Sequence, residues 1–226
     1  MTKLGNLPLS YRPVRRLVSL YVGLVLYGSA TSLMIASNLG LDPWDVFHVG
    51  LARILGLGVG TVVILVGAAV LLCWIPIRQK PGLGTVSNVI LIGASVTATS
   101  WIPHPHTLWL RWLVGVSGIL MVGVASGLYL GSRTGPGPRD GIMTGLVARW
   151  DGRWYGSIRL VRTLIEVTVL VAGFAMGGKV GWLTLVYAIT IGPIMHVTIP
   201  MFATPDPAAS PAAAAAAIRE PELAEA

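Results

Sequence analysis

The chain has 226 residues, of which 54% are hydrophobic and 11% charged, with a mean hydropathy of +0.75. Soluble domains carry roughly 25% charged residues, so an ordinary soluble fold is excluded. The formal net charge of +7 sits at segment ends rather than on one face, which suits membrane orientation and argues against nucleic-acid binding.

Residues 1–16 carry Lys3, Arg12, Arg15 and Arg16 and read as a basic cytoplasmic N-terminus. A charge-free run follows to Asp42, too long for the apolar core of a signal peptide, and is predicted to be an uncleaved first span. Similar runs lie between Arg53 and Arg78, Lys80 and Arg111, Arg111 and Arg133, and Lys179 and Asp206. Each is long enough for a hydrocarbon layer of about 30 Å. The predicted spans are 17–37, 60–77, 84–102, 111–132, 157–177 and 180–201. Cys73, alone of its kind and inside an apolar run, reads as a packing residue.

Two segments are too short to cross. PWDVFHVGLARI (43–54) and PRDGIMTGLVAR (138–149) reach only about 18 Å as helices. Each opens with Pro at the first helical position, behind Asp42 or Gly137 as N-cap. They are read as re-entrant or interfacial half-helices. Six spans with cytoplasmic termini leave 13 of the 16 Lys and Arg inside, against 11 if the short helices also span.

The chain repeats itself. At an offset of 95, Gly23, Gly28, Ser37, Gly40, Pro43, Asp45 and Gly50 match Gly118, Gly123, Ser132, Gly135, Pro138, Asp140 and Gly145. At an offset of 99, Gly82, Thr85 and Gly93 match Gly181, Thr184 and Gly192. The expected fold is an all-α membrane protein of six transmembrane helices and two half-helices. Residues 17–102 and 111–201 form two inverted repeats of span, half-helix, span, span, joined by an external loop at 103–110. Three crossings per repeat force the second copy to enter from the opposite face, a plan common among secondary transporters. Residues 202–226, rich in Ala, Pro and Glu, read as a disordered cytoplasmic tail. The small-residue stripes Gly28/Ser32/Ala36 and Gly123/Gly127/Gly131 read as packing faces where the repeats meet. Six tryptophans near span ends (Trp74, Trp101, Trp109, Trp112, Trp154, Trp182) read as interfacial anchors.

The motifs Gly-Leu-Asp-Pro-Trp-Asp-Val-Phe-His (40–48) and Gly-Pro-Gly-Pro-Arg-Asp-Gly-Ile-Met (135–143) resemble those of the YczE/YyaS/YitT group of bacterial integral membrane proteins. Matching runs at 75–85, Asn88, 159–166 and 191–193 extend the resemblance over about residues 15–200. One departure is Gly181-Trp182-Leu183-Thr184, where the first repeat has Gly-Leu-Gly-Thr. The resemblance implies a multi-span inner-membrane protein and brings no biochemical activity with it.

Ionisable groups at membrane depth are costly and therefore candidate sites. Arg159, Arg162 and Glu166 share one helix face in the fifth span, where Arg162 and Glu166 can form an i,i+4 pair. They are either a structural pair with a snorkelling Arg159 or a substrate or proton site. Their counterparts in the first repeat are Val63, Val66 and Val70, so the polar chemistry is not duplicated. Asp45 and Asp140 either complement the half-helix dipoles or line two vestibules, Asp45 with His48 and Asp140 with Arg139. Asn88 either binds a neighbouring helix or a substrate.

His104 and His106 lack a third ligand, and no metal or cofactor is expected. A serine–histidine protease reading of Ser117 and His196 fails because they sit about 9 Å and 24 Å deep, and no enzymatic activity is expected. The expected function is secondary transport of a small solute, an anionic one if the half-helix N-termini bind it. The alternative is a non-transporting scaffold or regulator of another membrane or biosynthetic complex. The expected partners are the lipid bilayer, a small-molecule or ion substrate, and a second copy of the chain.

Overall fold

A computed structural model describes residues 7–205 apart from Leu9 and residues 151–156. The described residues form nine helices and no strand: α1 (Pro13–Ser37), α2 (Pro43–Leu55), α3 (Val59–Leu72), α4 (Trp74–Ile77), α5 (Leu83–Ala98), α6 (Leu108–Gly131), α7 (Pro138–Arg149), α8 (Ile158–Ala175) and α9 (Trp182–Phe202). Helices α6, α7 and α9 begin 95, 95 and 99 residues after α1, α2 and α5, the offsets of the sequence repeat.

Among the described residues, four helices are long and apolar enough to cross a membrane: α1, α3 continued by α4 (Val59–Ile77), α6 and α9. Helix α5 is apolar but has 16 residues, and the 18 residues of α8 include Arg159, Arg162 and Glu166. The predicted starts differ at two places. Helix α1 begins at Pro13, so Arg16 belongs to the helix and is fully buried rather than part of a loose basic segment. Helix α6 begins at Leu108, inside the expected external loop.

Helices α1 and α6 form the central antiparallel pair, with α5 against α1 and α9 against α6. Leu20, Leu24, Ala30, Met34, Ile119, Val122 and Ala125 fill the core between them. The pair meets at Gly23 and Gly118, where a Cβ would lie 2.8 Å from Tyr129 N and 3.1 Å from Ala30 O. The two small-residue stripes do not lie at this contact, contrary to expectation. Gly28 abuts the Ile92 carbonyl of α5, and Gly127 abuts the Thr198 carbonyl of α9. Each stripe thus receives the last helix of its own repeat.

Two arginines lock the ends of the central pair. Arg16 Nε donates to Ser132 O at 2.8 Å and its Nη2 to Arg133 O at 3.0 Å. At the other end Arg111 Nε donates to Ser37 O at 2.8 Å, and its Nη2 to Asn38 O at 2.6 Å. Arg16 and Arg111 are 95 residues apart, as are Ser37 and Ser132. Each caps the carbonyl end of the other repeat's first helix, where free C=O groups and a partial negative charge favour a cation.

After α1 and α6 the chain turns back through Gly40 and Gly135, with φ of +125° and +140°. Matched hydrogen bonds hold both turns. Leu183 N donates to Leu39 O at 3.1 Å, and Gly84 N donates to Thr134 O at 3.1 Å. The Thr184 hydroxyl accepts from Leu41 N, and the Thr85 hydroxyl donates to Pro136 O. The Trp-Leu departure at 182–183 therefore leaves the backbone bonding intact, because an N–H is all that the turn requires.

Several tryptophans divide. Trp101, Trp109 and Trp182 are exposed at helix ends and Trp112 is half-buried, while Trp154 lies outside the described residues. Trp74 is not an interfacial anchor: it is buried and its indole N–H donates to Pro138 O at 2.9 Å, fixing the start of α7. Cys73, expected to pack, is exposed where the helix breaks between α3 and α4. Residues 206–226, read as a tail, lie outside the described residues.

Candidate functional site

The returning loops bring the N-termini of α2 and α7 together beside Tyr27, the fifteenth of 25 residues in α1. Asp42 caps α2, its Oδ1 accepting from Asp45 N at 2.9 Å. Its counterpart in α7 is Gly137, which has no side chain to offer, so that helix start is uncapped. Arg139 bridges the two ends. Its guanidinium donates to the Tyr27 hydroxyl and lies 4.0 Å from Asp42 Oδ1. It also stacks over Tyr27 at 5.5 Å and over Trp44, its own repeat counterpart, at 5.7 Å. A guanidinium has five N–H donors; Tyr27 takes one of them.

The two half-helices use their first-turn carboxylates differently. Asp45 Oδ1 lies 3.2 Å from His48 Nδ1, and both residues are buried. Asp140 Oδ2 accepts from the Tyr129 hydroxyl at 2.7 Å. Each acid complements the positive end of its helix, yet the repeat counterparts of His48 and Tyr129 are Met143 and Met34. Among the described residues, Asp42 Oδ2, Asp45 Oδ2, Thr31 Oγ1 and Trp44 Nε1 are buried without a hydrogen-bond partner.

Two small cavities flank Arg139. The first, of about 50 Å³, is lined by Asp45, His48, Asn88 and the apolar face Val63, Val66 and Val70 of α3. The second, of about 60 Å³, is lined by Asp42, Asn88, Tyr129, Asp140, Arg162, Glu166 and Tyr187. Tyr27, Trp44, Asn88 and Arg139 border both. Arg162 Nε donates to Glu166 Oε1 at 2.9 Å, and these side chains are 43% and 35% exposed, so the second cavity is open along α8. Helix α8 packs on α2 and α7, whereas its counterpart α3 packs along α5.

Of the sequence candidates, Arg139, Asp140, Arg162, Glu166 and Asn88 thus border one cavity, and Asp45 and His48 border the other with Arg139 and Asn88. Arg159 is exposed and borders neither. The residues that sequence reasoning passed over are Tyr27, Trp44, Tyr129 and Tyr187, together with Asp42, which was read only as a cap. The available signal for Asp42 was a break in the repeat, since the second copy has Gly137 there. Among the described residues, no group of three His, Cys, Asp or Glu is arranged to hold a metal ion.

Apolar helices of membrane-crossing length, wrapped around a buried cluster of charged and aromatic side chains, define a multi-pass membrane protein. The chain belongs to the DUF6198 family, described as a family of unknown function, which it matches over residues 14–200. It is 36% identical over 178 residues to an uncharacterized protein of Haemophilus influenzae, covering 78% of this chain and 80% of the relative. It is 32% identical over 185 residues to the uncharacterized membrane protein YczE of Bacillus subtilis, covering 80% and 83%. YyaS of the same bacterium is 27% identical over 187 residues, covering 80% and 90%. No solved structure matches the chain.

Proposed function

We propose that the protein is a secondary transporter of a small solute, built as two inverted repeats that cross the inner membrane six times with both termini in the cytoplasm. In this reading α5 and α8 also cross, as the third and fifth of the six spans, and α2 and α7 are re-entrant half-helices. The antiparallel α1–α6 pair and the matched turn bonds support the inversion. The 24 Å and 27 Å lengths of α5 and α8, at about 1.5 Å per residue, suit a locally thinned or tilted span.

The observation that carries the reading is Arg139. A charged group between two half-helix starts, bordered by cavities on both sides, hydrogen-bonded to Tyr27 and 4.0 Å from Asp42, is a costly arrangement for mere packing. Its free donors, with the uncapped start of α7, suit the acidic group of a solute. Arg162 and Glu166 line the open side of the second cavity and serve as its entry pair. The chemistry is binding and release rather than catalysis. Ser117 turns its hydroxyl to the Leu113 carbonyl of its own helix.

Proteoliposomes loaded with a pH indicator and challenged with small carboxylates and inorganic phosphate test this. At least one solute should give a flux above empty vesicles, falling tenfold or more in Arg139→Ala and several-fold in Arg162→Ala and Glu166→Gln. Absence of flux across the panel, or equal flux in the variants, favours the scaffold or regulator reading.

A further inference from the structure

Resting on the transporter reading, we propose that the solute is a small zwitterion, an amino acid the size of glycine or alanine, held in the second cavity.

One end of such a ligand must accept hydrogen bonds. Trp44 is buried and borders this cavity, and its indole N–H has no acceptor. A buried donor without an acceptor carries a desolvation cost that a ligand oxygen removes. Arg139 borders the same cavity and spends one donor, on Tyr27. The start of α7 also lacks the cap that α2 has. Asp42 Oδ1 accepts from Asp45 N at 2.9 Å, whereas Gly137 offers Asp140 N no side chain. The place that the Asp42 side chain takes in the first repeat is instead faced by polar atoms in the second. A Cβ on Gly137 would lie 2.8 Å from Tyr129 Oη, 3.1 Å from Asp140 Oδ2 and 3.6 Å from Asn88 Nδ2. A ligand carboxylate suits these donors, above all the guanidinium.

Charge decides what else the ligand carries. Asp42, Asp140 and Glu166 border this cavity with Arg139 and Arg162, and Asp45 and His48 stand behind Arg139 on the first cavity. Four carboxylates against two guanidiniums leave a balance of −2, or −1 with His48 protonated. A bare anion would enter a site that is already negative, at a cost that burial raises. An ammonium on the same molecule removes that cost. Its acceptor is at hand: Asp140 Oδ2 takes a single hydrogen bond, from Tyr129, and a carboxylate has room for about four.

Size sets the limit. A cavity of about 60 Å³ holds roughly four to six groups the size of water. That admits glycine or alanine and excludes long side chains. Arg162 and Glu166 bond each other at 2.9 Å on the exposed side, which leaves the inner groups to the ligand.

Scintillation-proximity binding of radiolabelled alanine to the purified full chain in detergent tests the assignment. Binding should saturate and be displaced by unlabelled glycine, with propionate and ethylamine, each carrying one of the two charges, at least about tenfold weaker. Asp140→Asn should weaken alanine and leave the site preferring propionate, a reversal that misfolding would not produce. Trp44→Phe keeps the ring, removes the N–H and should weaken alanine about tenfold. Displacement by propionate or by ethylamine as strong as by glycine would overturn the zwitterion assignment and leave a transporter of anions or amines standing. Stronger displacement by phosphoethanolamine would point to a lipid headgroup and overturn it as well. So would a lack of saturable binding up to millimolar alanine, or a Trp44→Phe affinity equal to wild type. Alanine binding to a protein that gives no alanine flux in proteoliposomes would leave the site standing and remove the transport reading.

Discussion

Arg16 and Arg111 show how much one side chain does at the end of a helix in this chain. Arg16 satisfies carbonyls of Leu7, Pro8, Ser132 and Arg133 at once, tying the N-terminal segment to the end of α6. Hydrogen bonds to a charged donor contribute about 1.5–3 kcal/mol, and the carbonyls left behind would be poorly hydrated. Arg16→Ala should therefore lower stability by about 2–4 kcal/mol, read as a drop in Tm in detergent, with Arg16→Lys recovering only part because an ammonium lacks the guanidinium fork. Arg111→Ala should cost less, since part of its head is exposed. The pairing was present in the sequence as an extension of the 95-residue offset, but an arginine at a span start is ordinarily read as an orientation signal, which hid it. Asp45, His48, Asp140 and Arg139 were legible as polar residues near helix starts. The tyrosines that partner them were not, because nothing local marks which face of an apolar helix looks inward.

The half-helices were the most legible elements, since proline, a capping residue and a length of about 12 residues fix them without tertiary help. Their starts at Pro43 and Pro138 coincide with expectation. Where they point was hidden, because it depends on the turns at Gly40 and Gly135. A Cβ at Gly40 would lie 2.6 Å from Thr184 Oγ1 and 2.8 Å from Gly181 N, on a backbone of φ +125°. Gly40→Ala adds strain and a clash against backbone. It should reduce stability by about 3 kcal/mol or prevent folding, as measured by the monodisperse yield after size exclusion. A side-chain-neutral control such as Gly56→Ala, where no atom lies within 4 Å, should cost no more than the strain of its own positive φ. Helix α8 was legible as a span with Arg159, Arg162 and Glu166 on one face. That it leaves α9 and packs on α2 follows from long-range contacts such as Gly50 against the Gly173 carbonyl, and only a folded chain brings these together.

At the scale of the whole molecule, one architecture is present twice and its chemistry once. The first repeat contributes the buried Asp42–Asp45–His48 ladder and an apolar cavity wall. The second contributes Arg139 and the Arg162–Glu166 pair on the wall that corresponds to it. The repeat was readable because glycine, proline and aspartate recur in order. The misassigned stripes show the limit: small residues mark a close contact without naming the partner, and here that partner is α5 or α9 rather than the other repeat. In the proposed topology the two copies sit in opposite senses across the membrane with their half-helix starts meeting inside. Cysteine accessibility in intact cells, on a Cys73→Ser background, tests it most directly at the far ends of the half-helices, using Leu55→Cys and Arg149→Cys, both exposed positions. An impermeant maleimide should label residue 55 from outside and reach residue 149 only after the membrane is opened. Labelling of both from the same side would contradict it.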